Sequence, residues 1–161
     1  MELHLIRHAK AEPSREGQGD ESRALTRRGH EQARALAGFL DEQGVKYDVL
    51  LTSPKLRALE TTTPLERLAR VVKVEQLLAE EPGEPLLAVL RGLRPSGEGI
   101  EGAMAVVGHE PYLTRLAALI LLGDAAQGER FHLRKAGVLA LRWPGAASLE
   151  WLVGPSVYGA G

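Results

Sequence analysis

Short apolar runs alternate with helical patterns along this chain, and no other feature narrows its fold so much. The runs ELHLIR (2–7), YDVLLT (47–52), VVKVEQLL (71–78) and AMAVVG (103–108) have strand length and strand composition. Helical stretches separate them, and strands joined through helices pair in parallel, with the helices covering the sheet faces. Thr26 stands where an N-cap is expected, Ala33, Leu36, Ala37 and Leu40 form one apolar stripe behind it, and Gly44 marks the stop. Ser53 and Pro54 read as the N-cap and first residue of a second helix that carries Arg57 in its first turn and breaks at Pro64. LLAVLRGL (86–93) reads as a short helix and PSGEGIEG (95–102) as a Gly-rich turn region. AMAVVG is apolar enough to be buried on both faces, Pro111 suits the start of the next helix, and LTRLAALILLG (113–123) is apolar nearly all round. GVLALRW and SLEWLV, separated by PGAA, predict a closing hairpin.

The 161 residues suit one domain over 1–161, which at this size buries roughly two-thirds of its unfolded surface. Hydrophobic residues make up 44% and charged residues 25%, the balance of a globular protein rather than a disordered one. A net charge of −1, from 20 basic and 21 acidic residues, supplies no overall field for nucleic acid or an anionic membrane, so an anion site has to be assembled locally. With no cysteine, disulfides, thiolate metal sites and cysteine nucleophiles are excluded together. The N-terminus lacks a signal-peptide pattern and no apolar run is long enough to span a bilayer, so a cytoplasmic location is expected.

Ligands of open α/β sheets bind beyond the carboxyl ends of the strands. Arg7 and His8 end the first predicted strand, Arg57 follows the second, and His109 follows AMAVVG. Three strand ends therefore offer an Arg or His to one crevice. This combination suits a phosphoryl group, because guanidinium forks match phosphate oxygens and a neutral imidazole can attack phosphorus. Attack by His8 requires its second ring nitrogen to be held by an acceptor such as a backbone carbonyl, while a protonated His109 could clamp an equatorial oxygen.

LIRHAK, DESRALTRRGHEQA, LTSPKLRALETT, VVGHEP and RKAGVLAL occur in the order found in the histidine phosphatase superfamily, and the chain most resembles its short phosphohistidine phosphatases of the SixA type, which carry RHA at the first motif. The resemblance implies a three-layer α/β/α sandwich of the phosphoglycerate mutase type with a mostly parallel sheet, no metal and no organic cofactor. It also implies that His8 is the nucleophile, that Arg7, Arg57 and His109 form the phosphate pocket, and that the substrate is a phosphorylated protein carrying phosphohistidine. A small phosphate ester such as a nucleotide or sugar phosphate, or a non-catalytic phosphate-recognition role, are the alternatives.

Lys10, Arg23, Glu80 and Glu81 are further substrate-binding candidates. The two glutamates lie where larger relatives of the family place a general acid, but nothing in the sequence ties either to the site. An imidazole leaving group can carry its own proton, so a missing acid favours phosphohistidine. Glu110 would raise the proton affinity of His109 if it pointed inward. His4 alternates with Leu3 and Leu5 and reads as a polar-face strand residue rather than a metal ligand, His30 reads as solvent-facing, and His132 reads as surface or pocket rim.

Overall fold

The structure is a computed structural model that describes residues 1–93 and 102–161; apart from Gly102, the Gly-rich turn expected at 95–102 lies outside the described residues. Six strands form one sheet: β1 (Glu2–Arg7), β2 (Tyr47–Thr52), β3 (Ala69–Val74), β4 (Ala103–Gly108), β5 (Val138–Arg142) and β6 (Ser148–Val153). Their order across the sheet is β3-β2-β4-β1-β5-β6. The first four are parallel, and β5 and β6 run antiparallel as the expected hairpin.

Alternation along the central strands divides the core. Leu3 and Leu5 of β1 and Met104 and Val106 of β4 face helices α3 (Glu84–Gly92) and α4 (Tyr112–Leu122). Ile6, Ala105 and Val107 face α1 (Arg27–Glu42) and α2 (Leu56–Thr62) on the other side. β4 is buried along nearly its whole length because helices cover both its faces. The fold is a mixed α/β sheet flanked by helices, as expected.

Several boundaries differ from the sequence pattern. Ser53 does not cap α2, which starts at Leu56 after Lys55, because the Ser53 hydroxyl is engaged elsewhere. β3 ends at Val74 rather than continuing through Leu78. The Glu75 carboxylate accepts from Leu77 N–H and turns the chain into a short 3-10 segment, Gln76–Ala79. α4 begins one residue after Pro111. α2 gives way to a 3-10 turn at Thr63–Leu68, with Pro64 in its first turn.

His4 has no polar face to occupy. It is completely buried, with Nδ1 2.7 Å from the Tyr47 hydroxyl and Nε2 2.8 Å from the Glu2 carboxylate, and the edge of the Trp151 ring lies against it. It is a core histidine whose two ring nitrogens are both satisfied. His30 is part-exposed, as read from the sequence, with Glu60 3.9 Å away. Gly137 packs its Cα against the Arg134 and Val153 carbonyls, leaving no space for a side chain.

The start of α1 is pressed onto the loop after β1. Thr26 caps the helix through Gly29 N–H, and the Thr26 N–H and hydroxyl both donate to the Lys10 carbonyl. A Cβ on Gly29 would stand 2.0 Å from that same carbonyl oxygen. Gly29→Ala is therefore expected to destabilise the protein by about 1–3 kcal/mol, read as a lower urea midpoint at unchanged m-value, since the only relief is to move the helix off the loop.

Candidate active site

The order β2-β4-β1 sets three chain reversals side by side, in register, with Thr52 beside Val107 and Arg7 beside Gly108. Adjacent strands lie roughly 5 Å apart, so the residues that follow them meet without any long loop. His8 follows β1 and His109 follows β4, and their ring centroids are 5.3 Å apart. Arg57, in the first turn of α2 after β2, closes the group. Arg7, the last residue of β1, completes it by holding the Leu133 carbonyl through Nη1 at 2.9 Å.

The backbone under Arg7 and His8 is clasped from the β5 side. Ala136, with φ 57°, directs one N–H toward the carbonyls of both residues, and the Gly137 carbonyl accepts from Arg7 N–H. A non-glycine residue in the left-handed region costs about 1–2 kcal/mol, which this shared contact offsets. His8 is oriented by its own turn, with Nδ1 2.7 Å from the Ala9 carbonyl. Nδ1 must carry the proton in that contact, which leaves the lone pair on Nε2. Ala9 N–H in turn donates to the Thr61 hydroxyl, which donates to the Arg57 carbonyl, so β1 and α2 move as one piece.

His109 is positioned by Ser53, whose Oγ is 2.6 Å from Nε2. Ser53 was read only as a helix cap. No spacing in the sequence could have revealed the contact, because 56 residues separate the pair. Among the described residues, Arg7 Nε, Arg57 Nε and His109 Nδ1 are buried and have no hydrogen-bond partner. An unpartnered buried donor costs about 1–3 kcal/mol, which an oxyanion in reach of these nitrogens would recover.

The electrostatics follow from burial among cations. Burial, then the Arg57 and Arg7 charges, push His8 down to about 4, against the opposing hydrogen bond to Ala9. Burial and the Arg57 charge push His109 down to about 3. Both rings are therefore neutral near pH 7 in the free protein, each carrying a single ring proton.

Asp20 was not anticipated. It lies at the tip of the polar loop after β1, whose base is pinched by the Ala11–Leu25 bridge and by the bond from Glu12 N–H to the Ala24 carbonyl. Arg57 donates to the Asp20 carbonyl at 2.8 Å and to its carboxylate at 3.1 Å, while Lys55 and Arg23 reach the same carboxylate at 2.7 and 3.0 Å. Lys55 first, with Arg23 and Arg57, holds Asp20 well below the usual carboxylate range. The loop thus carries an anion that orients Arg57 through both Nη atoms. Arg23 reaches the site indirectly, through Asp20 and the Glu12 carbonyl.

The other candidates fall differently. The Lys10 side chain is exposed, while its backbone is tied to α1 through Gln32 and Thr26. Glu80 and Glu81 are exposed and share no hydrogen bond or ion pair with the histidines or with Arg7 and Arg57 among the described residues; Glu81 is drawn instead to Arg115 of α4. Glu110 folds back on α4, accepting from Thr114 N–H and hydroxyl, so it does not raise the proton affinity of His109. Burial raises its own pKa, against the opposing Thr114 hydrogen bond and the Arg7 charge. His132 is exposed and also lines a cleft beside Arg7, so its surface and rim readings coincide.

The description "Histidine phosphatase superfamily (branch 1)" matches residues 3–84, which carry β1, the Asp20 loop and Arg57. The chain belongs to this superfamily. An uncharacterised protein of Picosynechococcus is 33% identical over 93% of this chain and 89% of its own length. The protein histidine phosphatase SixA complexed with tungstate superposes with a TM-score of 0.81 at 23% identity, over 98% of this chain and 99% of that one. The alpha-ribazole phosphatase of Shigella flexneri superposes with a TM-score of 0.79 at 22% identity, over 96% of this chain and 97% of that one. These superpositions establish the phosphoglycerate mutase-like fold. No helix among the described residues is long and apolar enough to cross a membrane.

Two outcomes are expected at the site. A depressed imidazole takes up its second proton only below its shifted value, so the His8 ring should titrate near pH 4 rather than near the ordinary 6.5, measured by NMR of the ring protons across a pH series. Ser53→Ala strands the His109 ring and should lower kcat/KM roughly 5- to 150-fold, equivalent to about 1–3 kcal/mol, with unchanged thermal unfolding separating the loss from misfolding.

Proposed function

We propose that the protein is a metal-independent phosphatase that takes the phosphoryl group from phosphohistidine in a protein, by way of a covalent intermediate on His8. The observation that carries the reading is the neutral His8 ring, with Nδ1–H spent on the Ala9 carbonyl and Nε2 left beside Arg7, Arg57 and His109. In the first step Nε2 forms a bond to phosphorus as the P–N bond of the substrate breaks, and the departing imidazole keeps the electron pair and a proton. In the second, water attacks the phosphoryl group on His8, the P–Nε2 bond breaks and inorganic phosphate leaves. Arg7 and Arg57 spread the equatorial charge, and His109 donates from Nδ1 while Nε2 accepts from Ser53.

The substrate class is supported by where the acids are. Among the described residues Glu80 and Glu81 share no hydrogen bond or ion pair with the site, so a leaving group that supplies its own proton fits better than an alkoxide. A second reading, hydrolysis of a small phosphate ester, has one observation in its favour: the Glu110 carboxyl has a raised pKa close to Arg7 and could protonate an ester oxygen. The alpha-ribazole phosphatase fold is compatible with that reading too.

The test exposes the protein in parallel to a phosphohistidine peptide and to phosphomonoesters, with quenching on the millisecond scale. Acid-labile, base-stable phosphate on His8 is expected from the peptide, and its absence from every donor would leave only a binding role. His8→Ala should abolish the adduct and lower turnover by about 10³-fold or more. Rapid turnover of esters with none of the peptide would establish the second reading.

A further inference from the structure

Most cations on the surface are paired. Arg23, Lys55 and Arg57 share Asp20, Lys46 and Arg67 share Asp41, and Arg91, Arg115 and Arg142 each have a glutamate. Among the described residues Arg34, Lys73 and Arg130 stand apart from any carboxylate and from one another, whereas Arg7, Arg134 and Lys135, equally without a carboxylate within 4.0 Å, line one cleft, with Lys10 near enough to act on Lys135. The Lys135 ammonium feels Arg7, Arg23 and Lys10, which with its own burial hold its pKa below the ordinary value. It is also close enough to depress His8.

Arg7, Arg134 and Lys135 border a cleft of about 450 Å³ that also has His132 and Ser156 on its walls. The acceptors beside it are already engaged. Glu110 holds Thr114, and Gly161 O accepts from Arg28. In a chain whose formal net charge is −1, a group of unpaired cations on one rim is local, and like charges held together raise the energy of the free surface. A partner bearing carboxylates lowers that energy on docking and is drawn to this face during encounter.

We propose that the Lys10–Arg134–Lys135 rim beside Arg7 is a docking surface for acidic side chains that flank the phosphorylated residue on a protein substrate. The inference rests on the reading of the protein as a phosphohistidine phosphatase and adds what selects the substrate. Lys135 and Arg134 sit on the segment that clasps the Arg7–His8 backbone, so a partner held there presents its phosphoryl group beside Nε2. Rim charges act chiefly on association, so the preference weakens as salt screens them.

The test compares two phosphohistidine peptides that differ only in flanking residues, Asp and Glu in one and Asn and Gln in the other, as the ratio of their kcat/KM values. A preference of about tenfold or more for the acidic peptide is expected at low salt, collapsing toward one at about 0.5 M salt. Arg134→Glu with Lys135→Glu should bring the ratio to one or reverse it; both side chains are exposed, and circular dichroism checks that the variant folds. Equal turnover of the two peptides, or a preference that survives the double reversal, overturns the docking surface while leaving the phosphohistidine reading intact. Failure of both peptides beside rapid ester hydrolysis overturns that reading and the docking surface with it.

Discussion

Everything chemical in this protein depends on β4 lying between β1 and β2 in parallel register. Backbone hydrogen bonds hold Arg7 beside Gly108 and Val107 beside Thr52, so the three strands end at one level. Each then releases a residue upward: His8, His109 and the turn that leads to Arg57. Because the strands are buried under helices on both faces, the ladder is rigid, and the two imidazoles are held 5.3 Å apart by the sheet rather than by loops. Helix α2, the Thr61 hydroxyl and the Ala136 clasp then restrict the turns themselves.

Concentrating cations in a partly buried site has a cost, and the protein meets it in two ways. Asp20 neutralises the buried Arg57 side of the pocket from outside, where its own carboxylate stays part-exposed to solvent. On the other side, Arg7 Nη1 is held by the Leu133 carbonyl, a dipole rather than a charge, while Nε is unpartnered, so its field remains available to a ligand. Burial first, and then the Arg57 charge, keeps His8 and His109 neutral. An unprotonated Nε2 on His8 and a site that attracts anions are thus consequences of burial beside cations.

The β-rich runs, the Thr26 cap and the hairpin were legible in the chain, since each is written in a few consecutive residues. The positions of Arg7, His8, Arg57 and His109 at strand ends could be read for the same reason. What escaped was long-range. A serine before a proline is locally a good cap, yet the Ser53 hydroxyl is claimed by the histidine that follows another strand. His4 alternates with leucines as a solvent-facing residue would, but Tyr47 and Trp151 arrive from distant segments to cover it. The loop that holds Asp20 has no periodicity, so nothing local indicates where its carboxylate lands.

By itself the sequence determined the elements, their parallel arrangement and which residue types would stand at the strand ends, because periodicity, capping and turn chemistry act over short separations. Only the tertiary structure decided which nitrogen of His8 bears the proton, that Glu81 pairs with Arg115 and Glu110 with Thr114, and that Asp20 covers Arg57. Those outcomes depend on distances between groups remote in the chain, and on how far burial and neighbouring charge alter each one's affinity for a proton.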